Sequence, residues 1–371
     1  MERATSTTTP GIGAEAVKML ELGTSTGLRR ESLVVDSAGL LDPMTVAAAG
    51  LPASLRQTLS RVRLPATTVA GAATEVIIGA DAASQLLREL RWSASTSYRA
   101  RPGLVRYDAS AIAAVRATFD EARDAGVAYA GPIHLAAALL RGERDDVAGA
   151  LRADPAWRAS DRPHTPLVGQ LRVDRELEER TGVPGWFDRR WRRLAAGGSR
   201  YGGVVVGHLL REVVRQAVRL DGGPVTSGYL LLGVASMGAQ LRLAGRHLRP
   251  AVEPLNGAPD MLAAHGLTFE HLIEALRARP STGDVVAADQ IREITVVAGP
   301  GWTGEVVDAV DRAVALADGA GHPQTGVSHL VAAALEDGAG TAAVLARALG
   351  ADPAAIRAAV LSDLSRAGDR S

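Results

Sequence analysis

The segment Gly23-Thr24-Ser25-Thr26-Gly27 spells the Gly-x-Ser-x-Gly pattern of a nucleophile elbow. An elbow lifts its serine out of a sharp turn between a buried strand and a helix. Glu15 to Leu22 reads instead as a short helix closed by Gly23, so this serine has no strand in front of it. Gly11-Ile12-Gly13-Ala14-Glu15-Ala16 imitates a dinucleotide fingerprint, but it follows a polar N-terminus and reads as a helix start. A phosphate-binding P-loop needs Gly-Lys followed by Ser or Thr; the only lysine, Lys18, stands between Val17 and Met19, so the chain has no ATPase site of that kind. Among the 8 histidines, His265 and His271 are six positions apart and fall on different faces of a helix, and no His-Glu-x-x-His frame occurs. Asp145-Asp146 and Glu178-Glu179 are adjacent pairs whose side chains diverge on a helix, which makes them poor acid/base partners. Cysteine is absent, which excludes thiol nucleophiles and thiolate metal sites. No catalytic residue, cofactor or metal is expected on these grounds. His134 and His329 remain, each opening a helix on an apolar face, either as a packed imidazole bonded to the preceding loop or as a ligand contact.

The chain of 371 residues has room for two or three domains, and its 41 basic and 41 acidic residues cancel. That balance predicts no general attraction to nucleic acid or to an anionic membrane. Apolar runs such as Tyr229 to Val234 fall far short of the roughly 20 residues of a membrane span. Residues 1–10 are polar and carry no apolar signal core, so the expected location is the cytoplasm.

The clearest elements lie in Trp302 to Leu364. Thr303 is placed to cap a helix whose inward face is Val306, Val310, Ala313, Val314 and Ala317, with Trp302 stapled over Val307. Gly319 and Gly321 end it, a second helix runs from His329 to Leu335, and Asp337-Gly338 breaks the chain. Thr341 to Leu349, closed by Gly350, and a last helix from Asp352-Pro353 to Leu364 complete the unit. The pattern recurs. Tyr107-Asp108 repeats Trp302-Thr303, and Gly126, Gly131 and His134 each lie 195 positions before Gly321, Gly326 and His329. A third copy is expected at His208 to Leu243, where Gly223 and Gly228 keep the spacing and Leu231 stands at the histidine position. A first copy is expected with Glu31-Ser32-Leu33-Val34-Val35 in the place of Ser328-His329-Leu330-Val331. Helices are further expected at Leu51 to Val62 and at Ala82 to Trp92, the latter with Leu86, Leu87 and Leu90 inward. Short strands are expected at Thr74 to Ile78 and Leu104 to Tyr107. The spacing leaves insertions at about residues 63–106 and 249–301. Between the halves, Trp186 to Arg193 interleaves aromatic and basic residues; Phe187, Trp191 and Leu194 share a helical face, which suits a docked linker helix better than a nucleic-acid site.

Gly321-His322-Pro323-Gln324-Thr325-Gly326-Val327-Ser328-His329-Leu330, with Leu335-Glu336-Asp337-Gly338, Ala343-Val344-Leu345 and Leu349-Gly350-Ala351-Asp352, resembles the N-terminal repeat of the Clp AAA+ unfoldases, the Clp N domain. The resemblance implies a mainly α-helical chain. It would hold two Clp N-like domains, residues 12–161 and 203–366, each a pseudo-twofold pair of four-helix repeats, joined by a linker at 162–202, with minor β structure in the insertions. It also implies grooves at the helix starts for adaptors, degrons or cyclic peptide antibiotics, with Tyr107, His134, Trp302 and His329 as the candidate ligand-binding residues. Members that bind phosphoarginine carry a Glu before the repeat's His; here that place holds Ile133, Leu230 and Ser328, and only Glu31 keeps it, so phosphoarginine binding is not implied. The expected role is a non-enzymatic protein that captures a peptide, a protein partner or a peptide-like natural product, as an adaptor of a Clp machine or as an antibiotic-sequestering decoy. The alternative is an enzyme of secondary metabolism with a pocket between the halves lined by His208, His265 or His271.

Overall fold

The computed structural model describes residues 10–29, 34–42, 53–60, 62, 80–97, 105–168, 171, 204–221, 223–248, 253–279, 283–286 and 299–368. The chain divides into two units, Met1–His164 and Thr165–Ser371, and is mainly α-helical. The division falls inside the expected linker, because its first residues belong to the first unit. There the Arg162 carbonyl accepts the Ala14 N–H at 2.8 Å, whereas in the second unit the Leu167 N–H donates to Gln240 Oε1 at 3.0 Å. The aromatic-basic cluster 186–193 lies outside the described residues.

The first unit contains α1 (Ala14–Arg29), α2 (Ser37–Leu40), α3 (Ala53–Ser60), α4 (Ala82–Ser97), α5 (Ala109–Asp124), α6 (Pro132–Leu140) and α7 (Asp145–Ala153), followed by a 3-10 turn at Pro155–Arg158. Leu86, Leu87 and Leu90 of α4 face its core, as their spacing predicts, together with Leu20, Ile112 and Leu135. Two minute parallel pairs tie the helix starts together. β1 (Gly11–Ile12), entering α1, pairs with β4 (Tyr129–Ala130), entering α6; β2 (Val34–Val35), entering α2, pairs with β3 (Arg106–Tyr107), entering α5. Among the described residues the named strands stand in front of helices, with β3 reaching into the expected insertion 63–106; within 249–301 Val285 makes a single bridge, and Thr74 to Ile78 lies outside the described residues.

Two readings of the N-terminal region need correction. Helix α1 does not stop at Gly23 but runs on to Arg29. Gly23 serves a close helix contact, since a Cβ there would stand 2.9 Å from Leu40 Cα, and buried Thr24 folds its hydroxyl back onto the Leu20 carbonyl at 2.8 Å. In the first copy the β-branched pair Val34-Val35 forms a strand, and the helix begins at Ser37, capped by Asp36, whose carboxylate accepts the Gly39 N–H at 2.7 Å.

The second unit contains α8 (Val204–Leu220), α9 (Ser227–Leu243), α10 (Ala258–Ala264), α11 (Phe269–Ala278), α12 (Gly304–Gly319), α13 (Val327–Ala334), α14 (Thr341–Ala348) and α15 (Pro353–Gly368). The last four match the helices expected from Trp302 to Leu364. The expected insertion 249–301 is shorter than its spacing suggests, because α10 and α11 occupy its first half. They are joined through Gly266 at φ 78°, as α14 and α15 are joined through Gly350 at φ 78°, the left-handed turn that favours glycine. Thr226 is the N-cap residue of α9, so Tyr229, not Leu231, holds the third helical position that His329 holds in α13. Helix α9 is buried almost all round and packs closely on α8, where a Cβ at Gly233 would collide with Val213.

An ion pair, Glu212 with Arg215, is buried on α8 against α9. Glu212, 3% exposed, accepts hydrogen bonds from Arg215 at 2.7 Å, Gln216 at 2.8 Å, Gln240 at 2.9 Å and Ser236. Burial alone would raise its carboxyl, but the Arg215 guanidinium and these donors hold it below the usual carboxylate range. A buried ion with every neighbour a donor favours one register of the two helices.

Candidate functional site

His134 and His329 occupy the same position on their helices and act on the backbone in the same way. Gly131 and Gly326 are the N-cap residues of α6 and α13 and lack a side chain to cap with. The imidazole at the third helical position reaches back instead: Nδ1 of His134 accepts the Gly131 N–H at 2.9 Å, and Nδ1 of His329 accepts the Gly326 N–H at 2.9 Å. This is the service a glutamate gives in a capping box. With Nδ1 an acceptor, the ring proton sits on Nε2 in both histidines. His134 spends it on the Trp157 carbonyl at 2.9 Å, with the two rings tilted 4.7 Å apart. His329 spends it on Nδ1 of His322 at 2.8 Å. Burial pushes both imidazoles down, His329 to about 4, where His322 adds to the effect of burial. Neither ring reaches solvent, so the packed, loop-bonded arrangement is the one found.

Tyr107 and Trp302 enter α5 and α12. Tyr107 is 1% exposed and its hydroxyl lies 3.1 Å from that of Thr24. The Thr24 proton is already given to Leu20, so the phenol is the donor; burial raises its pKa. Asp108 caps α5 as its position predicts, accepting the Ala111 N–H at 2.7 Å. Thr303 stands at the N-cap of α12 but does not cap it: its hydroxyl donates to the Val225 carbonyl at 3.0 Å, because Val225 runs parallel beside Trp302 and offers that oxygen.

The groups that join the helix starts of the second unit carry no motif of their own. Half-buried Glu305, in the first turn of α12, accepts the Ser227 N–H of α9 at 2.8 Å with one oxygen and the Thr341 N–H of α14 at 2.9 Å with the other. Ser227 in turn accepts the Ala342 N–H through Oγ at 2.9 Å. On the other pair of helices, Asn256 Oδ1 accepts the Val327 N–H at 2.9 Å and Ser328 Oγ accepts the Ala258 N–H at 3.2 Å. Four helix starts are thus capped across the chain by side chains distant in sequence. The acid in the first turn of α12 was the only visible signal for Glu305, and nothing marked Asn256.

Residues 302–370 match the family model of the Clp repeat (R) N-terminal domain. This segment is similar to a Clp N repeat. No curated protein matches the chain. The match suggests a Clp-related role in protein interaction. The match begins at Trp302, the residue that pairs with Val225, and includes His329, Glu305 and Thr341, so the cross-chain caps are built on the Clp N repeat itself. Elsewhere, Ser25 of the Gly-x-Ser-x-Gly pattern lies inside α1 and lines a cleft of about 250 Å³ with Lys18, Glu21, Leu90 and Ser93. His265 is exposed where α10 ends, and His271, also exposed, donates Nδ1–H to the Gly266 carbonyl at 2.9 Å. Among the described residues no group of three or more His, Asp or Glu is arranged to hold a metal, and no helix is long and apolar enough to cross a membrane.

Proposed function

We propose that this chain is a cytoplasmic, non-ATPase binding protein in which residues 12–161 and 203–366 are two Clp N-like domains, and that it captures a peptide, a protein partner or a peptide-like natural product. The observation that carries this reading is the Clp N repeat at 302–370, whose helix starts are locked to those of α9 and α10 by Glu305, Ser227, Asn256 and Ser328. In the first unit the reciprocal pairing of β1 with β4 and β2 with β3 is what two repeats related by a pseudo-twofold axis would produce. Tyr107 and His134 back a recognition surface on the first unit, and Trp302 and His329 back one on the second. The two histidines fix their helix starts, Tyr107 and Trp302 are buried at the entries to α5 and α12, and a ligand meets the backbone and loops in front of them. The partner is a Clp unfoldase or a substrate of one for an adaptor, and a Clp-directed cyclic peptide for a decoy. Titration of the full chain with an unfoldase lacking its own N domain, with a peptide array and with a cyclic peptide antibiotic separates these roles. Saturable binding to one of the three is expected, and absence of binding to all three refutes the reading.

A further inference from the structure

Trp302 and Thr303 form the middle of a three-membered backbone ladder. On one side Val225 runs parallel: its N–H donates to the Gly301 carbonyl at 2.8 Å, and its carbonyl accepts the Thr303 N–H at 3.0 Å. Val225 is fully buried and leads straight into α9. On the other side residues 283–286 run antiparallel, with Val285 opposite Thr303 and the Val286 N–H donating to the Trp302 carbonyl at 2.9 Å. This second neighbour is held differently. Val285 is 55% exposed, and among the described residues the segment makes no side-chain hydrogen bond.

The seat it occupies is made of glycine. A Cβ at Gly301 would run into the Val285 methyls, one at Gly283 would lie 3.0 Å from Thr303 Cγ2, and one at Gly304 would lie 3.8 Å from Val286 Cγ1. Gly301 makes room for the Val285 methyls, as pockets for alternate side chains do in β-strand addition, and Gly304 stands at ordinary contact distance under Val286. The first unit supplies a contrast. There residues 161–164 lie antiparallel beside Gly13, but side chains bind them: Asp161 accepts the Glu15 N–H at 3.0 Å and Arg162 pairs with Glu15 at 3.0 Å. That cover is fastened by side chains, whereas among the described residues the one over Trp302 rests on backbone and an exposed valine.

Resting on the peptide-binding reading above, we infer that the outer edge of Trp302-Thr303 is a strand-addition site for an extended, valine-bearing peptide of a protein partner, and that residues 283–286 occupy it in cis. A partner competes by offering a small residue opposite Thr303 and β-branched residues over Gly301 and Gly304. The tethered segment competes at an effective concentration of the order of millimolar, so the wild-type chain binds such a peptide weakly.

The test uses the full chain and a fluorescent synthetic peptide of residues 281–290. Val286→Pro removes the N–H given to Trp302, and Val285→Asp, at an exposed position, removes the apolar contact and serves if proline disturbs folding. Either change should raise affinity for the added peptide at least tenfold over wild type by fluorescence anisotropy, with circular dichroism unchanged. Adding Gly301→Val to the released variant fills the seat and should abolish the gain. A folded released variant that binds no better than wild type, or a gain that survives Gly301→Val, overturns the inference. Array peptides that bind wild type and Gly301→Val equally would also remove this edge while leaving the wider binding role standing; absence of 281–290 binding in every variant overturns the inference alone, and the wider role falls only if the unfoldase, the array and the cyclic peptide all fail to bind.

Discussion

Replacing Glu305 by alanine removes one carboxylate and leaves two helix starts short of an acceptor. Ser227 N–H at 2.8 Å and Thr341 N–H at 2.9 Å both lose their partner, while Ala342 N–H keeps Ser227 Oγ. Loss of an N-cap acceptor costs about 0.5–2 kcal/mol, and loss of a negative charge at a helix start costs about 0.3–1 kcal/mol more. Doubled for two helices these ranges centre on a destabilisation of about 2–4 kcal/mol. Glu305→Gln keeps one oxygen but turns an amide NH2 towards the other donor, so about 1–2 kcal/mol is expected. Hydrogen exchange followed by mass spectrometry reads the effect locally in the second unit and avoids assuming that the whole chain unfolds in one step. Exchange around Ser227 and Thr341 should accelerate together, by roughly 30- to 1,000-fold in Glu305→Ala. Acceleration at one helix alone would show that the carboxylate does not bridge both. Unchanged exchange at both would refute the capping account.

The remaining predictions concern titration, the buried charge and the glycines. His329 has a folded-state pKa of about 4 against an ordinary 6.5, so the unfolded chain binds the extra proton first. Its stabilisation is complete above about pH 6.5 and falls by up to about 3 kcal/mol as pH drops towards 4; His329→Gln, which keeps an acceptor for Gly326, should flatten this dependence in denaturant melts across pH 4–7. Glu212→Gln leaves Arg215 without its counter-ion and should cost about 3–5 kcal/mol by chemical denaturation, and a loss under 1 kcal/mol would refute the network's importance. Gly23→Ala forces a Cβ against Leu40 and should lower stability by about 1–3 kcal/mol. Gly149→Ala, on α7 with open space around it, should raise stability by about 0.5–1 kcal/mol, and thermal melts of the two variants moving the same way would contradict the packing described.

Helices that close themselves were legible in the sequence. The helix spans and glycine stops from Thr303 to Gly350 follow the sequence, although Thr303 does not cap α12 and Asn256 and Ser227 complete the starts of α13 and α14, and the 195-residue offset places α5 and α6 correctly because those loops have equal length. Where loop lengths differ the offset misleads. In the third copy α9 begins at Ser227, which moves Tyr229 into the histidine's position, and in the first copy Val34-Val35 became strand because β3 lay alongside to pair with it. Gly23 reads as a stop only when its helix is considered alone; Leu40 of the neighbouring helix decides otherwise. Trp302 and Tyr107 were legible as residues that matter at helix starts, but their burial depends on Val225 and Thr24, partners set by the fold. Glu305 and Asn256 were invisible for the same reason, since a single carboxylate or amide announces nothing until the amides it serves are placed around it.

The cross-chain caps separate the boundary of kinship from the boundary of self-sufficiency. A fragment excised at residues 302–370 would carry Glu305 and Thr341 together but would leave Asn256 and Ser227 behind, stripping acceptors from Val327 and Ala342. Recombinant pieces cut at the ends of the recognisable segment should aggregate or exchange arms between copies, whereas pieces that begin before Val204 keep the acceptors of these four helix starts.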